Sequence, residues 1–240
     1  MRIGIMQPYF FPYLGYFSLI RQTDKWVLLD EVQYIRHGWI ERNRILKPGE
    51  GWQYISVPLV KASRDTLIKD IRIRTNEPWT KRIFSQLEHY KKRAPNYQQV
   101  TELLHNCFAL ETDSIVQLNN HILKIICGYL DIRYEGMVFS EMGLNISEVQ
   151  HAGQWALNIT EAMGGSEYIN PIGGVEIFKE EEFINKNIKL SFLQNELKEY
   201  SQRRGVFEPG LSIIDVLMFN SKDETIRLID AISFIPLAKV

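Results

Sequence analysis

The chain has 240 residues, 45% of them hydrophobic and 24% charged, with 9 prolines and 2 cysteines. That much apolar and aromatic material excludes intrinsic disorder, and so few cysteines exclude a disulfide scaffold. The formal net charge is −1, but residues 1–100 hold 17 Lys and Arg against 9 Asp and Glu, while residues 101–240 hold 11 against 20. Halves of net +8 and −9 point to an anionic ligand on the first half, to two attracting surfaces of one monomer, or to a homodimer contact.

In chain order, RIGIM at 2–6 is a short apolar run ended by Gln7-Pro8, which suits a buried strand. Residues 14–21 have helical apolar spacing, and WVLLD at 26–30 is a second buried strand. Strand, loop, helix and strand make a βαβ opening, which implies a parallel sheet. WQYISVPL (52–59) and LIKDIRI (67–73) alternate like the half-buried strands of a hairpin or excursion. Three helices follow at about 77–93, 96–110 and 113–130, and the last two hold Cys107 and Cys127. The α/β rhythm then resumes with a strand at 137–142, a helix at 148–163, a strand at 167–170, a helix at 175–187 and a strand at 189–193. Two helices, near 211–219 and 222–231, close the chain. The expected architecture is a single α/β domain, a Rossmann-like parallel sheet with a mainly helical insertion at about 77–130.

No stretch approaches the roughly 18 apolar residues of a spanning helix. Gln7, Pro8 and Pro12 break up the apolar start, and no small-residue cleavage site follows it. Two thiols in helical segments suit a reducing compartment, so the expectation is a cytoplasmic protein without membrane insertion.

Ligands of open parallel sheets bind beyond the carboxyl ends of the strands, where helix N-termini offer free N–H groups. The loop Gln7-Pro8-Tyr9-Phe10-Phe11-Pro12-Tyr13-Leu14-Gly15-Tyr16 occupies that place. Gln7, Tyr9, Tyr13, Gly15 and Tyr16 are its candidates, Gly15 because it permits a close backbone approach. Just past the second strand, Asp30, Gln33, Tyr34, Arg36, His37, Trp39, Arg42, Asn43 and Arg44 crowd fifteen residues. The arginines offer forked donors for phosphate or carboxylate, the amides can read polar groups, and Tyr34 and Trp39 give flat faces for a sugar or base. This cluster is expected to face Gln7 and Tyr9 across the sheet's end. A third region, residues 164–174, places Asn170 and Gly173 at another strand-to-helix turn.

The candidates for acid–base work are His37, Asp30 and Tyr13, with His151 and Asp215 outside the motifs. Asp215 sits in an apolar run and needs a partner, such as an arginine of the first half. His89, His105 and His121 read as exposed or structurally satisfied. No Walker lysine, GxGxxG fingerprint or Cys/His metal spacing is present, so no cofactor is identified. The stretch from Lys61 to Arg93 holds ten Lys and Arg against four Asp and Glu, which admits aminoacyl-tRNA as a donor, although no nucleic-acid module accompanies it.

The strand, Pro-rich loop and small-x-Gly-x helix start resemble nucleotidylyltransferases and related adenylate-forming enzymes. Their His-x-Gly-His signature contacts nucleotide phosphates, and the matching positions here read Tyr13-Leu14-Gly15-Tyr16. The resemblance therefore implies a shared fold more than a shared reaction, with His37 standing in for the lost imidazoles. MQPYFFPYLGYFSLI, the segment from Asp30 to Ile45 and LSIIDVLMFN at 211–220 together resemble the WbqC-like protein family along essentially the whole chain. That resemblance implies bacterial surface-polysaccharide (O-antigen-type) biosynthesis, and some members are described as glycine or aminoacyl transferases. The implied activity is acyl or aminoacyl transfer to a nucleotide-linked amino sugar, with a phosphate-bearing donor or the nucleotide-sugar bound between the first loop and the Asp30–Arg44 segment. The alternatives are ATP-dependent adenylate or nucleotidylyl transfer, and a non-catalytic nucleotide-sugar-binding protein of the same pathway.

Overall fold

A computed structural model describes residues 1–235. Its central sheet is built on β1 (Arg2–Met6), β2 (Lys25–Leu28), β5 (Gly136–Val138), β6 (Glu167–Pro171), β7 (Lys189–Asn195) and β8 (Ile232–Ile235), in the order β5-β2-β1-β6-β7-β8. Every pairing is parallel except β7 with β8. The chain builds outward from β1 through β2 to β5, then returns to β6 on the other side of β1 and continues to β7. The switch point therefore lies between β1 and β6, where a doubly wound sheet opens a crevice.

Strand alternation divides the core into two layers. Ile3, Ile5, Val27, Tyr168 and Phe192 face one side, covered by α5 (Ala152–Ala162) and α6 (Glu180–Asn185). Trp26, Leu28, Ile169 and Leu193 face the larger layer, which contains α1 (Leu14–Arg21), α2 (Trp79–Leu87), α3 (Tyr97–Cys107), α4 (Ile115–Tyr129) and α7 (Ile213–Phe219). Gly4 is glycine because a Cβ would lie 2.6 Å from the buried Trp26 ring. Serines start three helices: Ser114 caps α4, Ser212 caps α7, and Ser221 forms a reciprocal capping box with Glu224 at α8 (Lys222–Ile229).

The structure differs from the sequence expectation in five places. Residues 52–59 and 67–73 meet at a single antiparallel bridge, Leu59 with Ile73, and do not form a hairpin. Instead β3 (Arg42–Leu46) and β4 (Trp52–Ser56) form an antiparallel hairpin, and residues 68–70 make a 3-10 turn. The reason is local: Gly51, at φ +74°, closes the hairpin, and Pro58 lacks the N–H needed to extend β4. The strand expected at 137–142 stops at Val138 because Ser140 turns back onto Asp30. The helix expected at 148–163 starts at Ala152, its upstream backbone being held by Asn158 through the Ser147 carbonyl. The helix expected at 175–187 is a 3-10 turn at 172–177 followed by the short α6. The antiparallel edge strand β8 follows the last helix and had no counterpart in the expectation.

Candidate functional site

The first loop is held as a rigid shelf beyond β1. Its backbone carbonyls are taken in turn by side chains: Pro8 by Asn119 Nδ2 (2.7 Å), Phe10 and Phe11 by Asn43 Nδ2 (3.0 and 2.9 Å), and Phe11 again by Ser212 Oγ (2.8 Å). The Phe10 N–H donates to the Trp39 carbonyl at 2.8 Å, and Asn119 also donates to the Ile40 carbonyl at 2.9 Å. Buried amides of this kind are costly to leave unpaired, and here they lock the two sequence motifs to each other. Phe11 sits at φ +40°, a left-handed conformation that these clamps hold in place.

The result is a cavity of about 410 Å³ at the carboxyl ends of β1 and β6. Gln7, Tyr9, Tyr13, Trp39, Asn170 and Gly173 all line it. Tyr9, Tyr13 and Trp39 continue into an adjoining hollow of about 230 Å³ that ends on Asn43 and Arg44. Burial pushes the Tyr9 and Tyr13 phenols above their ordinary pKa, Tyr13 adding to the rise at Tyr9, so both stay neutral donors at physiological pH. The Arg44 guanidinium lies 5.5 Å from the Trp39 ring and 5.2 Å from the Trp52 ring and donates to the Gly210 carbonyl, while its buried Nε has no partner. The far wall comes from Trp155 at the start of α5 and from Tyr168, Ile177 and Phe178. Sequence reading missed that wall because these residues are individually ordinary apolar core types.

The second motif does not face the first loop as a unit. The structure divides it. Trp39, Asn43 and Arg44 join the sheet-edge cavity, while Tyr34, Arg36, His37 and Arg42 line a separate cavity of about 420 Å³ with Glu41, Tyr54, Ser56 and Lys61. The hairpin links the two: Arg44 pairs across to Tyr54, and Arg42 stacks on the Tyr54 ring at 3.9 Å.

Several candidates have structural partners. Asp30 is buried, and its two carboxylate oxygens accept from the Ser140 N–H and hydroxyl. Tyr16 is buried within the core and donates to the Gln7 carbonyl. The space left by Gly15 is filled by the Tyr13 ring, 2.5 Å from where a Cβ would stand. Gln33 is exposed and donates to the Arg64 carbonyl. His151 pairs with Glu182 at 3.0 Å. Asp215 meets no arginine of the first half at hydrogen-bond distance; its oxygens accept from Tyr90, Tyr200 and Gln202. Both cysteines are buried, and burial raises their thiols far above the range of a nucleophile. In the basic stretch, Arg72, Arg74 and Arg82 donate to backbone carbonyls and Lys69 pairs with Glu31. Among the described residues no cluster could hold a metal ion, and no helix is long and apolar enough to cross a membrane.

A family model described as the WbqC-like protein family matches residues 7–227. The uncharacterized protein Rv1507c of Mycobacterium tuberculosis (strain ATCC 25618 / H37Rv) is 28% identical over 222 residues, covering 91% of this chain and 93% of its own length. No solved structure matches the chain.

Proposed function

The chain belongs to the WbqC-like protein family, and from that premise we propose that it is a transferase of bacterial surface-polysaccharide biosynthesis. It passes an acyl or aminoacyl group to the amine of a nucleotide-linked amino sugar. The observation that carries this reading is the cavity at the switch point between β1 and β6, with aromatic faces at Tyr9, Tyr13 and Trp39 and a cation, Arg44, at its far end. Flat faces suit a sugar ring or base, and a guanidinium suits the pyrophosphate between them. The sugar amine attacks the acyl carbon, the new N–C bond forms, the bond from the acyl carbon to the donor's leaving group breaks, and the leaving group carries off the proton that the amine gives up. The lining has neither Ser, Cys nor His, so catalysis rests on positioning and on the neutral Tyr9 and Tyr13 hydroxyls donating to developing charge.

Calorimetric titration with a UDP-linked amino sugar tests this directly. Trp39→Ala keeps the backbone carbonyl that holds Phe10 while removing one flat face. It is expected to weaken binding by about tenfold or more, the range typical of a lost aromatic stacking partner. Equal affinity of the wild type and the variant, or no binding to either, overturns the reading.

A further inference from the structure

The outward face of the β3–β4 hairpin is built of aromatic rings and guanidinium groups. The register sets Arg42 opposite Ser56 and Arg44 opposite Tyr54, so these side chains share one face, while Asn43, Ile45 and Ile55 are buried on the other. Trp39, Arg44, Trp52, Tyr54 and Arg42 follow one another across it. The Arg44 guanidinium lies within 5.5 Å of both tryptophan rings, Trp52 meets the Tyr54 ring edge-on at 4.9 Å, and Arg42 covers Tyr54. Both tryptophans still stand 38% exposed.

Five arginines cross or border this face, and backbone carbonyls hold each of them: Ala62 holds Arg36, His37 holds Arg42, Gly210 holds Arg44, Ser56 holds Arg82, and Gly49 and Gly51 hold Arg204. Among the described residues neither these five nor Lys61 forms an ion pair. The nearby Glu41 is taken by the His37 N–H and the Tyr34 hydroxyl, and Glu208 stands at the turn end, by Gly51. A carbonyl fixes the place of a guanidinium without cancelling its charge, so the face keeps a positive field.

An acidic protein or a lipid headgroup layer would meet these charges but give the rings no flat partner. A single nucleic-acid strand offers both, phosphates for the guanidinium groups and unstacked bases for the tryptophans. Trp39 and Arg44 also line the hollow that joins the sheet-edge cavity, so one end of such a strand reaches that cavity. We propose that the hairpin face docks the single-stranded 3′ end of an RNA that carries the acyl group as an ester on its terminal ribose. This role rests on the transfer reading above and names its donor. The ester C–O bond breaks as the sugar amine forms the new N–C bond, and the ribose oxygen takes the proton. The two substrates meet at Trp39 and Arg44, and Lys61 and Arg82 flank the strand at the Ser56 end.

Fluorescence anisotropy with a short labelled RNA without internal pairing tests the docking in the absence of any nucleotide sugar. The strand is expected to bind about tenfold or more tightly than its own duplex or inorganic polyphosphate of equal charge, since base stacking on an aromatic ring supplies that factor. Trp52→Ala removes an exposed ring and is expected to weaken the strand about tenfold while leaving polyphosphate unaffected. Arg36→Gln keeps a donor for the Ala62 carbonyl. It is expected to weaken both ligands and to reduce the slope of log affinity against log salt by about 0.7, the value for one phosphate contact on a single strand. Misfolding of either variant would not single out the strand or change that slope alone. A photoreactive group on the 3′ ribose is expected to label Tyr9, Tyr13 or Trp39, and one on the 5′ end is not. Duplex or polyphosphate binding as tightly as the strand, or an unchanged Trp52→Ala, overturns the docking surface. Labelling by the 3′ group only outside the cavity overturns the donor role. Failure of either leaves the UDP-amino-sugar titration standing by itself, and failure of that titration leaves these results untouched.

Discussion

At the scale of single residues, Gly15 shows how a motif position can serve its own chain. The loop's rigidity suggests a glycine kept bare for a ligand, but the space is taken by the Tyr13 ring, with its hydroxyl 2.7 Å from a would-be Cβ. Tyr13 is a cavity-lining group, so the glycine sets where that ring points. Gly15→Ala adds a methyl to the first turn of α1, where alanine favours the helix over glycine by about 1 kcal/mol. The methyl meets the far end of a side chain that can rotate, not backbone. Thermal denaturation is therefore expected to show stability within about 1 kcal/mol of wild type, while UDP-amino-sugar affinity falls because Tyr13 is pushed into the cavity. Unchanged affinity at unchanged stability would remove Tyr13 from the site.

At the scale of elements, a buried carboxylate joins the hairpin to α7. The Leu46 N–H of β3 donates to the Tyr90 hydroxyl (2.8 Å), Tyr90 donates to Asp215 at the start of α7 (2.6 Å), and Tyr200 donates to its other oxygen (2.6 Å). Burial outweighs these donors and lifts the Asp215 carboxyl from its ordinary 3.8 to about 6. A folded-state pKa above the unfolded one means that the group's contribution to stability is fully present below about 3.8 and is lost as pH rises through about 6. Between pH 4.5 and pH 7 that loss amounts to about 2 kcal/mol. Asp215→Asn removes the titration, but its amide donates where Tyr90 needs an acceptor, which costs about 1–3 kcal/mol. Urea denaturation is expected to show wild type well ahead of the variant at pH 4.5, with the gap narrowing by about 2 kcal/mol at pH 7. A gap independent of pH would mean that Asp215 ionises normally. Sequence showed that Asp215 needed a partner but not which one, since Tyr90 lies 125 positions away. The same limit hid the hairpin: apolar alternation pointed to a strand at 52–59, of which 52–56 is β4, but Arg42 and Arg44 mask the alternation of β3, because their face is covered by aromatic rings and not by a core. The βαβ opening was legible because Ile3, Ile5, Val27 and Leu28 are apolar on both faces of a buried parallel sheet.

At the scale of the whole molecule, the sequence suggested a helical insertion between two stretches of α/β pattern, and the contacts indicate how tightly that insertion is joined to the sheet. Asn96, just before α3, donates to the Leu217 and Asn220 carbonyls at the end of α7. Asn119, within α4, is fully buried and holds the carbonyls of Pro8 and Ile40, one from each motif. Ion pairs between the basic first half and the acidic second, such as Arg21–Asp230 and Lys25–Glu135, are surface contacts worth about 1 kcal/mol or less each. The charge asymmetry therefore does not hold the molecule together; shared apolar core and buried amides do. Residues of α2, α3 and α4 occupy the same apolar cluster as Trp26 and Leu28 of the sheet. The helices and the sheet are accordingly expected to unfold in one transition, with far-UV circular dichroism and tryptophan fluorescence giving coincident curves. Asn119→Ala leaves two buried carbonyls without their donor and is expected to cost about 2–4 kcal/mol while keeping the curves coincident. At the size of this chain that lowers the midpoint by several degrees, about 2–4 °C for each kcal/mol. Loss of helical signal before the tryptophan change, in the wild type or in Asn119→Ala, would show that residues 79–129 fold as a separate unit and that the first loop is held by something other than α4.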